Sequence, residues 1–311
     1  MKKILYLDCF SGISGDMMMG ALADLGVKPS TFEWELTKLD IGDFHMHFDR
    51  KFKGAIEGVK FSCHEGKTHR PEQDEDHSHQ GCDHDHGHGH GEECGHHHHN
   101  EEKSHSHAHH HHEGEECGHS HDHDHGHEHS HECDHEHDHG DSRNYAQIRE
   151  LIEKSDLSEF VKKHSVGIFH RIAVAEGKIH GLPPEQVHFH EVGALDSILD
   201  IVGSCVGIEA LGVEEIHASK LQEGQGFLEC AHGRFPIPST ATLEILQGIP
   251  LSQTDEPHEL ITPTGAAILA QFALSFGPME DLRTVKVGYG LGTRDLKSRP
   301  NVLRAVLAEI Q

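Results

Sequence analysis

The stretch from Glu72 to Asp141 cannot build a core. It holds about 26 of the chain's 38 histidines and about 21 acidic residues against one lysine, Lys103. Apolar side chains are almost absent from it, so nothing there offsets the entropy of fixing a backbone. Any fold must therefore be made from the two flanks. The expected organisation is a first part of an α/β core over 1–70, a disordered His/Asp/Glu-rich metal-binding insert over 71–141, and the remainder of the core over 142–311. The insert carries roughly 20 of the 27 net negative charges. Its flanks are only mildly acidic and have ordinary apolar content. No basic patch is present to neutralise phosphates or to meet an anionic bilayer, so the expectation is no nucleic acid and no membrane surface as partner.

No export signal is visible ahead of Ile4, because the apolar run there is short and broken by Asp8. No run reaches the roughly 18 apolar residues of a membrane span. A cytoplasmic protein with reduced thiols is expected. Cys9, Cys63, Cys205 and Cys230 then read as core residues or metal ligands, and Cys82, Cys94, Cys117 and Cys133 fall within the insert.

The flanks alternate between strand and helix patterns. Ile4–Leu7 reads as a buried strand, followed by a Gly/Ser-rich turn and a helix from an N-capping Ser14 to Gly26. A second helix is predicted from Thr31 to Leu39, and a hairpin from His45–Lys53 and Ile56–Cys63 through Gly54. Helical periodicity returns at Tyr145 and fills Val166–Gly181. Val187–Glu191 reads as extended, Asp196–Leu211 as helix and Glu215–Ser219 as strand. Pro238–Gln247 and Thr262–Phe276 read as helices, and Thr284–Val287 and Val302–Ile310 as strands. This alternation predicts an α/β or α+β fold, a mixed sheet with packed helices interrupted by the long insert.

The insert's histidines recur in His-X-His and poly-His units: His84, His86, His88 and His90; His96, His97, His98 and His99; His109, His110, His111 and His112; His119, His121, His123 and His125. An extended chain places alternate imidazoles on one side, so two can reach one ion. Imidazole suits nickel, zinc and copper rather than the hard ions. The interleaved carboxylates offset the charge of several dications and make binding weaken as pH falls.

Four constellations in the flanks carry chemistry. The first, Asp8 to Met17, puts Gly12, Ser14 and Gly15 at a strand-to-helix turn where backbone N–H groups can meet an anion, with Asp8 and Asp16 able to hold a divalent ion or a hydroxyl. The same pattern serves equally as a tight turn, and no Gly-Lys-Ser/Thr follows to make it a phosphate-binding loop. The second is His188-Phe189-His190-Glu191 followed by Asp196 and Asp200. An extended segment turns His188 and His190 to one face, and residues four apart on a helix share a face. Together they form a compact nitrogen and oxygen set for a divalent metal. Third, His232 and Arg234 precede a helix start at Ser239-Thr240 and suit an anionic ligand; Thr262-Pro263-Thr264-Gly265 has the same double reading as ligand site or capped helix. Fourth, Gly288-Tyr289-Gly290-Leu291-Gly292 leads to Arg294 and Arg299, again suited to an anion.

Taken in order along the chain, these stretches resemble the nickel-insertion proteins of nickel-pincer cofactor biosynthesis, the LarC family. The resemblance runs from Tyr6–Met17, through the His-rich insert, Val187–Ile201, His232–Pro238 and Thr262–Ala267, to Gly288–Asp295 and Arg299–Arg304. It implies insertion of Ni(II) into a pyridinium bisthiocarboxylate mononucleotide, by a lyase-class reaction that uses CTP with Mn(II) or Mg(II). The product is the cofactor of lactate racemase and related enzymes, so an apo enzyme of that kind is an implied partner, as is a homo-oligomer. Family members commonly continue past Arg304 into a nucleotide-binding region, which would make a C-terminal polypeptide a further partner. On this reading His188, His190 and Glu191 are the candidate catalytic set, with Asp196 and Asp200 beside them on the metal. Asp8, Gly12, Ser14, Gly15, Asp16, His232, Arg234 and Arg294 are candidates for holding the cofactor precursor. A nickel or zinc store and a metallochaperone without catalysis are the competing readings.

Overall fold

The computed structural model describes residues 1–66, 143–189, 192–230 and 233–310. All of them belong to one unit formed from Met1–Arg70 and Asp138–Gln311. The insert predicted over 71–141, with its histidines and four cysteines, lies outside the described residues.

In chain order the elements are β1 (Lys2–Asp8), α1 (Gly15–Asp24), α2 (Pro29–Leu36), β2 (Phe44–Lys53) and β3 (Ile56–Glu65). After the insert come α3 (Tyr145–Lys154), α4 (Glu159–His180), α5 (Leu195–Leu211), β4 (Glu215–Ala218), β5 (Leu221–Glu223), β6 (Phe227–Cys230) and β7 (Gly233–Pro236). The last are α6 (Thr240–Ile245), β8 (Leu251–Gln253), α7 (Pro263–Phe272), β9 (Ala273–Phe276), β10 (Arg283–Leu291) and β11 (Val302–Ile310). Seven strands form a mixed sheet in the order β2-β3-β10-β11-β1-β4-β9. β1 is central, antiparallel to β11 and parallel to β4. The predicted fold class holds.

Alternation along the central strands decides which side chains face which layer. Leu5 and Leu7 of β1, with Leu303, Ala305 and Leu307 of β11, enter the main core. Ile4, Tyr6, Val306 and Ala308 point to the opposite face and form a small second cluster. Helices α1, α5 and α7 pack on the main-core side, with α4 outside α5 and α7. α5 is mostly apolar and is buried along most of its length between these layers, with Asp196, Asp200 and Glu209 left out of the core.

Two segments depart from the sequence-based expectation. The helix predicted to reach Phe276 ends at Phe272, and Ala273–Phe276 becomes the edge strand β9, parallel to β4. An apolar run of that length fits either period, and the open edge of β4 claims it. The glycine run 288–292 mostly lies within a strand. Gly288 and Gly290 belong to β10, and they serve helix packing. A β-carbon on Gly290 would stand 1.8 Å from the Met17 carbonyl oxygen, so only glycine lets α1 lie this close to the sheet.

Gly290→Ala should therefore lower the unfolding free energy by about 3 kcal/mol. Gly277→Ala, where a β-carbon meets open space, should cost less than about 0.5 kcal/mol. Chemical denaturation of both variants checks this, and equal midpoints would refute the packing account.

Candidate functional site

The site begins with a backbone contact between two loops. Beyond β1 the chain leaves the sheet, and Ile13 forms a parallel bridge with Ile261. The Ile13 N–H donates to the Leu260 carbonyl at 3.0 Å, and the Thr262 N–H donates to the Ile13 carbonyl at 3.1 Å. The next residues along each chain are the N-caps of two helices, Ser14 for α1 and Thr262 for α7. The two helix N-termini are thus fixed side by side. Thr262 caps its own helix, accepting from the Gly265 N–H at 3.2 Å. Ser14 makes no such cap, because its hydroxyl donates to the Asp16 carboxylate instead.

A third N-terminus joins them. α5 starts at Leu195 after Ala194, which offers no capping side chain. Asp196 lies in its first turn and accepts the Ser197 N–H at 2.8 Å. One turn on, Asp200 reaches α1: a β-carbon on Gly15 would stand 2.6 Å from the Asp200 side chain. Between these elements is a cavity of about 520 Å³, bounded by Ser14, Asp16, Lys60, Cys63, Asp196, Asp200, Glu259 and Thr262 among others. A smaller cavity of about 160 Å³ shares Ser14, Asp16, Glu259 and Thr262 and adds Arg294 and Asn301.

Strand β3 closes the far side. It pairs with β10 only at Val59, opposite Gly290. Past that point its edge is released from the sheet, and Lys60 to Cys63 line the cavity. Lys60 forms an ion pair with Asp16 and donates to the Thr293 hydroxyl at 2.7 Å.

The charges are unequal. Four carboxyl groups, on Asp16, Asp196, Asp200 and Glu259, face one ammonium, on Lys60. Asp200 as a residue is only partly buried, but its carboxyl is enclosed against α1. That enclosure, followed by the neighbouring charges of Asp16 and Asp196, holds its pKa well above the usual carboxylate range; Lys60 and the Asp16 N–H oppose the shift. The Cys63 thiol is pushed up to about 12, first by burial and then by Asp200, Asp196 and Asp16. It is therefore protonated at neutral pH and becomes a ligand only when a metal displaces the proton. Among the described residues no group of three or more His, Cys, Asp or Glu is already placed to hold a metal ion. The site is an acidic basin at converging helix N-termini, suited to a ligand that brings both cationic and anionic groups.

The profile of the nickel insertion protein family matches residues 5–311. The chain belongs to the nickel insertion protein family. It is 41% identical over 313 residues to a pyridinium-3,5-bisthiocarboxylic acid mononucleotide nickel insertion protein of Geobacillus kaustophilus, covering 99% of this chain and 60% of the relative. Proteins of the same name from Desulfitobacterium hafniense and Staphylococcus epidermidis are 36% and 35% identical, again over 99% of this chain and 59% and 60% of their own lengths. The chain thus spans about three fifths of the curated relatives it matches. No solved structure matches it. Among the described residues no helix is long and apolar enough to cross a membrane.

Of the residues singled out in the sequence of this nickel insertion family member, Ser14, Gly15, Asp16, Asp196 and Asp200 come together in the larger cavity. Arg294 borders the smaller one, its Nη1 donating to the Glu259 carbonyl at 3.4 Å. Gly12 serves the turn, pressed against Leu260 with φ of 80°. Asp8 faces elsewhere: it is paired with Arg304 and borders a separate cavity of about 550 Å³ with Arg299. Arg234 is exposed on β7 with its guanidinium 4.6 Å from the centre of the Phe227 ring. His188 is exposed, bridged by its backbone to Asn144, and is not part of the cavity wall. His190, Glu191 and His232 lie outside the described residues, as do the tract histidines.

Lys60 and Glu259 gave no signal in the sequence. Neither did Glu223, the last residue of β5, which is fully buried. Its Oε1 accepts the N–H groups of Gly224 at 2.7 Å and Leu260 at 2.6 Å, and its Oε2 has no hydrogen-bond partner. Burial raises its pKa from 4.5 to about 7, against the pull of those N–H groups and with a further rise from Glu259. The folded state thus binds this proton more tightly than the unfolded state. Its contribution is fully present below about pH 4.5 and is lost as pH rises through about 7, by up to about 3 kcal/mol. Glu223→Gln cannot titrate. Its melting temperature relative to the parent should therefore climb between pH 5 and pH 8. A difference that stays constant over that range, measured by calorimetry, would show that the carboxyl is not protonated on folding.

Proposed function

We propose that this chain binds pyridinium-3,5-bisthiocarboxylic acid mononucleotide and inserts Ni(II) into it. The observation that carries the reading is the pairing of opposites in the cavity. Three helix N-termini present backbone N–H groups to anions, which suits a phosphate or thiocarboxylate. The carboxylates of Asp16, Asp196 and Glu259 on the same walls, against the one ammonium of Lys60, suit a cationic pyridinium ring and an arriving dication. Nickel is the cargo here. Asp196, Asp200 and Cys63 stand where they can receive it, and the substrate's own sulfurs complete its ligand set. That arrangement agrees with the absence of a ready-made metal cluster among the described residues, since a preassembled site would hold nickel too tightly to release.

The finer points belong to the same proposal. His188, His190 and Glu191 directly precede the α5 N-terminus and are assigned to delivery of nickel to this basin. The tract histidines raise the local supply of metal. CTP with Mg(II) or Mn(II) is assigned to the further region that relatives possess, and the product is passed to an apo enzyme of the lactate racemase kind in the cytoplasm.

The test is reconstitution. Chain, Ni(II), CTP, MgCl2 and the mononucleotide are mixed, with and without the C-terminal region of a relative, and the nickel complex is sought by mass spectrometry. Asp200→Asn should reduce its formation at least about 10-fold while leaving bulk nickel binding by the tract unchanged. His188→Ala with His190→Ala should do the same. Deleting residues 74–140 should leave formation intact at high free nickel. A chain that binds nickel but never the mononucleotide would instead be a store or a metallochaperone.

A further inference from the structure

A second large cavity, of about 550 Å³, opens on the other face of β1. Tyr6 and Asp8 border it, and they alternate with the core residues Leu5 and Leu7, so they face away from the helices of the main core. Strands β1, β4 and β9 are parallel. The cavity lies at their C-terminal ends, bounded by Asp8, by Ser219 and Lys220 after β4, and by Gly277 to Met279 after β9. The carboxyl ends of parallel strands are where α/β sheets open into ligand crevices. Hydrogen bonds fix the three ends together. The Tyr6 hydroxyl donates to the Gly277 carbonyl at 2.6 Å, and the Ser219 hydroxyl accepts the Cys9 N–H at 2.9 Å. The volume is that of a pocket for a small organic ligand.

The charge of this cavity is opposite to that of the acidic basin. Among the described residues on its wall, Asp8 is the one carboxylate. Arg304 neutralises it, its Nε donating to Oδ2 at 2.9 Å and its Nη2 donating to the same oxygen. Two cations then remain on the wall. Lys220 is exposed, and its ammonium has no partner among the described residues. Arg299 commits Nη1 to the Phe10 carbonyl at 2.8 Å and Nε to the Ser298 hydroxyl at 3.3 Å, which anchors the guanidinium and leaves Nη2 uncommitted. Glu256 is close enough to Arg299 to feel its charge, but it is not on the wall, and its carboxylate accepts the Lys297 and Ser298 N–H groups. Phe10, Pro278 and Met279 make the remaining wall apolar. Positions 220, 299 and 304 are far apart in the chain, so this positive charge forms no basic run in the sequence.

We propose that this cavity binds a mononucleotide, with its phosphate on Lys220 and Arg299 and its ring against Phe10 and Met279. An ammonium beside an anchored guanidinium matches a phosphate dianion in charge and in hydrogen-bond donors. A bare anion would leave the apolar wall in water, whereas a flat ring covers it and meets a phenyl ring and a thioether. The site is separate from the acidic basin, and the inference does not rest on nickel insertion there. Two ligands share this chemistry, an ordinary nucleoside monophosphate and a pyridinium mononucleotide.

Equilibrium dialysis of the full chain tests this, with AMP, nicotinic acid mononucleotide, adenosine and inorganic phosphate as probes. EDTA is included so that no metal on the histidine-rich segment bridges to a phosphate. At least one of the two nucleotides should bind at least about 10-fold more tightly than adenosine or inorganic phosphate. Lys220→Glu should weaken that binding at least about 10-fold, and Lys220→Arg should retain it within about threefold. Because Lys220 is exposed and unpartnered, Lys220→Glu should melt with the parent, so its lost affinity is not lost folding. The bound nucleotide should slow amide hydrogen exchange over 219–222 and leave α2 unchanged. Binding of AMP identifies a nucleoside monophosphate as the occupant, and binding of the pyridinium nucleotide alone identifies a ligand of the substrate's kind. Equal affinity in the parent and Lys220→Glu would overturn the proposal. So would inorganic phosphate bound as tightly as either nucleotide, or no binding of either nucleotide, and none of these results bears on nickel transfer in the basin.

Discussion

The site depends on two hydrogen bonds between backbones. Ile13 and the Leu260–Thr262 segment exchange them at 3.0 and 3.1 Å, and everything downstream is positioned by that exchange. Because Ser14 and Thr262 follow directly, the N-termini of α1 and α7 must open into one space. α5 is held to the same space by the contact between Asp200 and Gly15. The glycines at 288 and 290 let α1 lie closely on β10. Removing the backbone contact would not simply loosen a loop. It would separate the two dipoles that make the cavity attractive to anions.

Those dipoles also explain how so much acid can be tolerated. Each N-terminus contributes about half a positive charge, concentrated in its first turn. Asp16 and Asp196 occupy first turns and draw on this directly. Asp200 is one turn further along α5, beyond the reach of that effect, and there enclosure and the charges of Asp16 and Asp196 raise its pKa and favour the protonated form. The same holds for Cys63. The cavity therefore contains two groups that a dication can deprotonate on arrival. If nickel is received there, as proposed, its binding exchanges for protons, which weakens retention at low pH and favours transfer to a ligand already carrying thiolate character.

How much of this was legible in the sequence follows from distance along the chain. Ser14, Gly15 and Asp16 stand out because a strand, a Gly/Ser turn and a helix follow one another within a few residues. Asp196 and Asp200 stand out because a spacing of four on a helix defines a face without any tertiary information. Lys60 and Cys63 reach the site only because β3 leaves β10 after Val59, and nothing local in Ile56–Glu65 marks that departure. Glu223 and Glu259 are further from view still. A glutamate at the end of a three-residue strand reads as solvated until the packing of Leu260 over it is known. The glycine run at 288–292 misleads in the opposite direction, since a pattern that can cradle an anion was used mainly to admit a helix.

On the proposed function, the two parts of the chain assigned to metal have different physical roles. A histidine-rich segment offers many weak, interchangeable nitrogen sites, and its capacity comes from number rather than geometry. The basin at the helix N-termini offers few donors, and these are protonated, ion-paired or hydrogen-bonded before any metal arrives. Nickel on the first has many equivalent places to go. On the same proposal, nickel in the second leaves onto the substrate's sulfurs, which outcompete carboxylates for a borderline ion. A gradient of that kind needs no tight site anywhere along the route.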